Sequence, residues 1–265
     1  MATQALTGTA GVQGRLWSAR AADFAEIQEP QSAALYDDVI GRLGIGPGSE
    51  LLDAGCGSGS FAQHATAAGA NVTGLDASAA LIECARLRVP SAKFTVGELE
   101  ELPYGDASFG VVTGFNSFQY AADPVHALRE AARVAAGGRV VVAVWGREED
   151  CEAAASVKAL GAFLPPPPPG APGPFALSAD GALEQLAASA GLTVAERVEV
   201  ATVWEYPDEV AARRGLLAPG PAVRAIEAGG EDAVGRAILD ALAPYRTRDG
   251  RYRVENTFVY VVAGG

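Results

Sequence analysis

Leu51-Leu52-Asp53-Ala54-Gly55-Cys56-Gly57-Ser58-Gly59-Ser60-Phe61 joins an apolar run to an amphipathic one through alternate glycines. Glu50 to Asp53 reads as a short buried strand, and Ser60 to Ala68 as a helix ended by Gly69. Glycines between a strand and a helix let the backbone pass close to a ligand, because no Cβ stands in the way. The spacing disfavours two common ligands. A dinucleotide fingerprint, G-x-G-x-x-G/A, needs Gly or Ala at position 60, where Ser60 stands. A phosphate-binding loop needs Gly-Lys-Ser/Thr, which is absent. A turn with a purely structural role stays open at this point.

The pattern continues downstream. Asn71 to Leu75 reads as a strand, Ser78 to Leu87 as a helix capped by Ser78, and Ala92 to Val96 and Phe109 to Gly114 as strands. Asp123 caps a helix that starts at Pro124 and runs to Val134. Gly137-Gly138 then turns into the strand Arg139 to Trp145. Short apolar strands alternating with amphipathic helices predict a parallel sheet covered on both faces. Upstream, residues 1–15 are small and polar and read as a loose terminus. Ala21 to Leu43 reads as helical, with Pro30 dividing it into two helices. Beyond the alternation, Glu148 to Phe163 reads as a helix and Pro165 to Pro169 as a stiff polyproline connector. Leu183 to Ala190 is a further helix, Leu192 to Trp204 is strand-like, and Tyr206 to Tyr245 is a helical insert. Asp249-Gly250 is a turn, and Tyr252 to Val262 alternates as a last strand.

Composition narrows the chemistry. Lys+Arg number 20 against 32 Asp+Glu, a formal charge of −12, which argues against a nucleic-acid partner. His64 and His126 are the two histidines, and Cys56, Cys84 and Cys151 the three cysteines. Such a set leaves little room for a metal centre, a histidine triad or a disulfide framework, so no metal is expected. The cysteines read as small buried hydrophobes in a reducing cytosol. There is no signal-like apolar segment near Met1 and no run of 18 apolar residues, so the expectation is a cytoplasmic protein without a membrane partner.

Asp76 ends the second strand, 17 residues past Gly59. An acid at that place accepts hydrogen bonds from ribose hydroxyls. With the glycine turn it points to an adenosine-containing cofactor.

These two elements recur with Gly97-Glu98-Leu99-Glu100-Glu101-Leu102-Pro103-Tyr104-Gly105-Asp106-Ala107-Ser108-Phe109 and with Ala132-Arg133-Val134 before Gly137-Gly138-Arg139. In that order, across roughly residues 45–145, they resemble a class I S-adenosylmethionine-dependent methyltransferase, closest to the small-molecule, ubiquinone- and menaquinone-biosynthesis-like group. The resemblance implies an α/β, Rossmann-like, doubly wound, mostly parallel seven-stranded sheet with helices on both faces, an antiparallel last strand and a helical cap. It further implies one domain over 1–265. Within it, 1–44 form N-terminal cap helices, 45–204 and 250–265 the core, and 205–249 a helical cap insert.

Roles carry over by position. Asp53 and Ala54, with the backbone of Gly55, Gly57 and Gly59, would cradle the methionine end. Asp76 would hold the ribose beside Ala77, and Glu98 and Leu99 would meet the adenine. Asn116, in the segment Phe115 to Tyr120, would border the methionine and the methyl group. Three departures stand out: Glu98 where the family more often has Asp, Gly110 in place of an Asp, and a shortened loop at Ala135-Ala136-Gly137-Gly138.

Methyl transfer from a sulfonium to a small organic molecule is an in-line displacement that leaves S-adenosylhomocysteine. The protein supplies orientation and excludes water. A base is needed only for a protonated nucleophile, and the candidates are Tyr120 and His126. A wall role for Tyr120 and a surface role for His126 stand beside these readings, and His64 reads as structural. Trp17, Phe24, Phe118 and Trp204 are candidate substrate contacts and suggest an apolar or aromatic acceptor, with plain core roles equally open. Arg213, Arg214 and Arg246 could meet an acidic substrate group or simply be solvated. The alternatives are a protein or RNA methyltransferase, and a cofactor-binding protein of this fold that transfers no methyl group, with a regulatory or rearrangement role. The oligomeric state is not readable from these features.

Overall fold

Leu51 and Leu52 are neighbours in sequence and fully buried, each in a different core cluster. Successive strand side chains point to opposite faces, so a strand with both faces apolar needs cover on both sides. The computed structural model, which describes residues 8–135, 137–165 and 173–265, provides that cover. Burying each such leucine stabilises the fold by roughly 1.5–3 kcal/mol.

The strands are β1 (Glu50–Ala54), β2 (Asn71–Asp76), β3 (Lys93–Val96), β4 (Val111–Phe115), β5 (Arg139–Trp145), β6 (Thr193–Tyr206) and β7 (Tyr252–Gly264). They form one sheet in the order β3-β2-β1-β4-β5-β7-β6. The first five pair in parallel, and β7 runs antiparallel to both β5 and β6. The chain moves outward from β1 to β2 and β3, then returns to the other side of β1 with β4. Ligands of such sheets bind at that reversal, beyond the carboxyl ends of the strands, and here the glycine turn follows β1.

The helices of the core are α4 (Ser60–Ala67), α5 (Ala79–Arg88), α6 (Pro124–Val134), α7 (Ala154–Gly161) and α8 (Ala182–Ser189), numbered after α1 (Ala10–Ser18), α2 (Ala21–Asp23) and α3 (Ala33–Leu43). Ser78 caps α5, its hydroxyl accepting the Leu81 N–H at 3.2 Å, and Asp123 caps α6 through the His126 N–H at 3.0 Å. Each such cap stabilises its helix by on the order of 1 kcal/mol.

Several local expectations are corrected. The reading of residues 1–15 as loose fails from Ala10 onward, where α1 begins with Ala10, Gly14 and Leu16 buried. Pro30 does not divide two helices. A π-helical turn (Phe24–Gln28) and a 3₁₀ turn (Glu29–Ser32) carry the chain from α2 into α3. Pro30 sits in the first positions of that turn, where its missing N–H leaves no hydrogen bond unmade. The stretch from Glu148 is helical only as a 3₁₀ turn to Asp150 and then α7. The polyproline connector lies largely in 166–172, and the shortened loop includes residue 136, both outside the described residues.

The insert between β6 and β7 is three helices, α9 (Glu209–Leu216), α10 (Gly220–Gly229) and α11 (Glu231–Leu242). It meets the N-terminal helices through ion pairs: Arg15 with Glu227, Arg20 with Glu231 at 2.9 Å, and Arg214 with both Asp23 and Glu26 at 2.7 Å. Two segments far apart in sequence thus form one cover over the strand ends. No described helix is long and apolar enough to cross a membrane.

Candidate active site

A cavity of about 270 Å³ lies against the carboxyl ends of β1, β2, β4 and β5. Its inner end is the glycine turn. Gly55 and Gly57 take φ of +81° and +54°, a region that glycine enters without strain. Space imposes the same choice. A Cβ on Gly57 would lie 2.1 Å from Oε1 of Glu29, and one on Gly55 would lie 2.3 Å from Cβ of Ser117. The turn is therefore closed over by side chains from two other segments.

Asp76 stands at the tip of β2. Its Oδ2 accepts the Gly57 N–H at 2.9 Å, and its Oδ1 accepts the Ser78 N–H at 2.8 Å. A carboxylate has about four acceptor positions, so both oxygens keep capacity for ligand hydroxyls. Asp53, at 1% exposure, accepts the Thr113 hydroxyl at 3.1 Å. Burial pushes its carboxyl up to about 8, against the pull of Thr113 and with help from the negative charges of Glu29 and Asp76. Burial also raises Asp76, offset by its backbone donors. A site holding buried carboxylates that resist ionising suits a ligand that brings positive charge.

Glu29 was not singled out in the sequence. Its carboxylate accepts the Ser58 N–H at 2.9 Å and the Ser58 hydroxyl, and pairs with Arg88 at 2.8 Å. Burial raises its carboxyl, and Ser58 and Arg88 oppose that rise. The π-helical and 3₁₀ turns place it there, and its pairing locks the N-terminal cover to the glycine turn. Glu29 and Ser58 lie 29 residues apart. The only local signal is an acid before Pro30 in a helical stretch, and that signal is common.

The outer end of the cavity is aromatic. Trp145 of β5, Phe258 of β7 and Trp204 of β6 line it. Trp145 stacks on Phe258 with ring centres 4.9 Å apart, and Trp204 lies 5.3 Å from Trp145. Trp17 and Phe24 contribute from the cover, 5.1 Å apart. The Trp204 indole N–H and the Ser117 hydroxyl are buried without a hydrogen-bond partner.

A methyltransferase-domain family model matches residues 52–142. A malonyl-[acyl-carrier protein] O-methyltransferase of Erwinia pyrifoliae is 30% identical over 208 residues, covering 77% of this chain and 75% of the relative. The chain belongs to the class I S-adenosylmethionine-dependent methyltransferases. The enzyme of the same name from Serratia marcescens is 36% identical over 115 residues, 42% of this chain and 45% of the relative. Against that relative and others like it, the match spans less than half of the relative's length. Among solved structures, geranyl diphosphate C-methyltransferase from Streptomyces coelicolor superposes with a TM-score of 0.54 at 16% identity, covering 97% of this chain and 98% of that one. This likeness speaks to the fold. The family's cofactor is S-adenosylmethionine, and the acidic, backbone-lined inner end fits its two positive centres, the sulfonium and the ammonium.

Of the residues expected in this methyltransferase site, Asp53, Gly55, Gly57, Asp76, Ala77, Glu98, Leu99, Asn116 and Tyr120 line the cavity, as do Trp17, Phe24 and Trp204. Ala54 is fully buried in the core, and Gly59 is packed against Ala85; neither lines it. Phe118, read as a substrate contact, does not line the cavity: at 1% exposure it packs in the core beneath Gly114. His126 is exposed on α6 and does not line the cavity, so a base at this position has no geometric support. Tyr120 lines it, but burial pushes its phenol up to about 12, which keeps it protonated at neutral pH. Its ring lies 5.8 Å from Trp17, and its carbonyl accepts the Thr9 hydroxyl at 2.6 Å, an arrangement suited to a wall. Glu98 is already engaged: Oε2 accepts the Ala10 N–H that opens α1 at 3.0 Å, and Oε1 accepts the Leu99 N–H at 2.8 Å.

Proposed function

We propose that this protein transfers the methyl group of S-adenosylmethionine to a small organic molecule by in-line displacement, releasing S-adenosylhomocysteine. One observation carries the reading: a single cavity is lined both by Asp76 and the glycine turn and by the aromatic side chains of Trp145, Trp204 and Phe258. Residues read as cofactor contacts and residues read as acceptor contacts therefore face the same cavity.

The cofactor, when bound, supplies a methyl group on a positively charged sulfur. Asp76 would accept hydrogen bonds from the ribose hydroxyls with the capacity left on its two oxygens. Asp53 and the backbone at Gly55 and Gly57 would meet the methionine end, where a ligand ammonium favours the ionised form of Asp53. Ala77 and Leu99 would flank the adenine, with Glu98 at its edge. Asn116 has φ of +49° and its Oδ1 accepts the Gln119 Nε2–H at 3.1 Å, which holds its side chain beside the turn after β4. Trp17, Phe24 and Tyr120 would exclude water and set the line of approach, and orientation of this kind supplies several kcal/mol of rate. No histidine lines the described cavity, so this reading assigns no protein base. The acid excess speaks against a nucleic-acid acceptor, and the free thiols of Cys56, Cys84 and Cys151 fit a cytoplasmic setting.

Incubation with methyl-labelled S-adenosylmethionine and a fractionated metabolite extract tests the proposal. Label should appear in a small organic product together with S-adenosylhomocysteine. Calorimetry that finds neither S-adenosylmethionine nor S-adenosylhomocysteine bound would overturn it.

A further inference from the structure

Taking the cofactor reading as its basis, we infer that the methyl acceptor is an uncharged molecule with an apolar, aromatic-sized body, and that the outer end of the cavity rejects carboxylates and phosphates. The outer end of the cavity is walled by Trp145, Phe258 and Trp204 from three adjacent strands, and by Val157 and Leu160 of α7. Among the described residues lining the cavity there is no Lys, Arg or His. Residues 1–7, 136 and 166–172 contain none of these side chains either.

Several cations of the cover are paired elsewhere, and none lines the cavity. Arg213 pairs with Asp232 at 2.8 Å, and Arg246 lies 3.9 Å from Glu209. Arg214 and Arg20 hold carboxylates of the opposing cover segment, and Arg88 holds Glu29. The acidic-substrate role open to Arg213, Arg214 and Arg246 therefore has no support, since none of them lines the cavity. An anion entering the outer end would lose its hydration and gain no counter-charge from the side chains that line it. A neutral aromatic molecule meets none of these penalties, and its rings find offset and edge partners in the tryptophans.

Two probes of one size test the inference on the full chain. 2-Acetylnaphthalene is neutral, and 2-naphthoate carries a carboxylate on the same ring system. Each is titrated against intrinsic tryptophan fluorescence, with and without saturating S-adenosylhomocysteine. The ketone should bind at least tenfold more tightly than the carboxylate in both conditions. In Val157→Trp, which fills the chamber from α7, ketone affinity should fall at least tenfold while S-adenosylhomocysteine affinity stays within twofold. Equal or tighter binding of naphthoate, no binding of the ketone, or ketone binding untouched in a folded Val157→Trp protein would each overturn the inference. Where that variant does not fold, the ketone-to-carboxylate ratio of the unaltered chain carries the test. Failure of S-adenosylhomocysteine to bind would sink the cofactor reading alone, because the probe titrations without it still report on the chamber.

Discussion

The two ends of the cavity are built by different rules. The inner end is acidic and relies on backbone: Gly55, Gly57 and the N–H groups that hold Asp76. Its residues lie close together in the chain, following β1 and β2. The outer end carries no charge and relies on side chains, with Trp145, Trp204 and Phe258 drawn from three separate strands. On the proposed reading the inner end holds a ligand common to a family, which calls for glycines and acids at fixed spacings. On the same reading the outer end selects an acceptor, and its residues answer to shape and polarity. The difference teaches that a backbone-built site can sit in short, contiguous motifs while an aromatic chamber is assembled from across the sheet.

The strongest test of this contrast attacks the clasp that closes the inner end. Arg88→Met leaves Glu29 buried without its partner, and urea unfolding should show a loss of about 3–5 kcal/mol. A loss under ~1 kcal/mol would mean that the cover is held mainly by its surface ion pairs, which as a class contribute little. Next in size is Gly57→Ala. Backbone strain at positive φ costs about 1–3 kcal/mol, and the new methyl group meets Glu29. Calorimetry should find cofactor affinity lowered by at least tenfold, with binding of a neutral aromatic probe at the outer end little changed. If both ends fail together, they are one cooperative unit and the contrast is broken.

Asp76→Ala should weaken S-adenosylhomocysteine binding by about 1–3 kcal/mol, through ribose hydroxyls left unpaired. Unchanged affinity would place the ribose elsewhere. A smaller effect concerns protons. With its carboxyl at about 8, Asp53 is mostly protonated at pH 7 in the free protein. Binding of a positively charged ligand favours the ionised form, so a fraction of a proton should be released on S-adenosylmethionine binding. Calorimetry in buffers of different ionisation enthalpy reads that release, and Asp53→Asn should remove it. The sign for stability follows from the same shift. A folded-state value above the ordinary carboxylate value means the contribution is fully present below about 4 and is lost as pH rises towards about 8. Ligand-free protein with the opposite trend across that window would contradict the burial of Asp53. The smallest expected changes are at Tyr120 and His126. Tyr120→Phe should alter kcat by less than about threefold, and His126→Ala should leave it unchanged, since neither is placed to take a proton. A hundredfold loss in either would restore a base to the mechanism.

Much of the inner end was legible in the chain. Ser78 and Asp123 announce their helices because a cap is a matter of three or four residues, and both cap as expected. Asp76 was legible from its place at a strand end. Phe118 sits in a segment that borders the cavity, and only packing beneath Gly114, which no local pattern shows, turns its ring into the core. Glu98 was read as an adenine contact and does line the cavity, but its bond to the Ala10 N–H depends on α1 crossing that edge. Glu29 was invisible, since nothing local distinguishes an acid that will pair with Arg88 from one that stays in water.

By itself the sequence determined the alternating sheet, the glycine turn and the acid that follows it. These depend on backbone conformation and strand periodicity, which are set within a few residues. Only the tertiary structure decided the chamber's lack of charge, the clasp at Glu29 and the joining of two distant segments into one cover. Those features arise from residues more than fifty positions apart, such as Glu29 with Arg88 and Trp145 with Trp204. Their meeting is set by strand order and by which arginines find a carboxylate first, and neither is written in any local pattern.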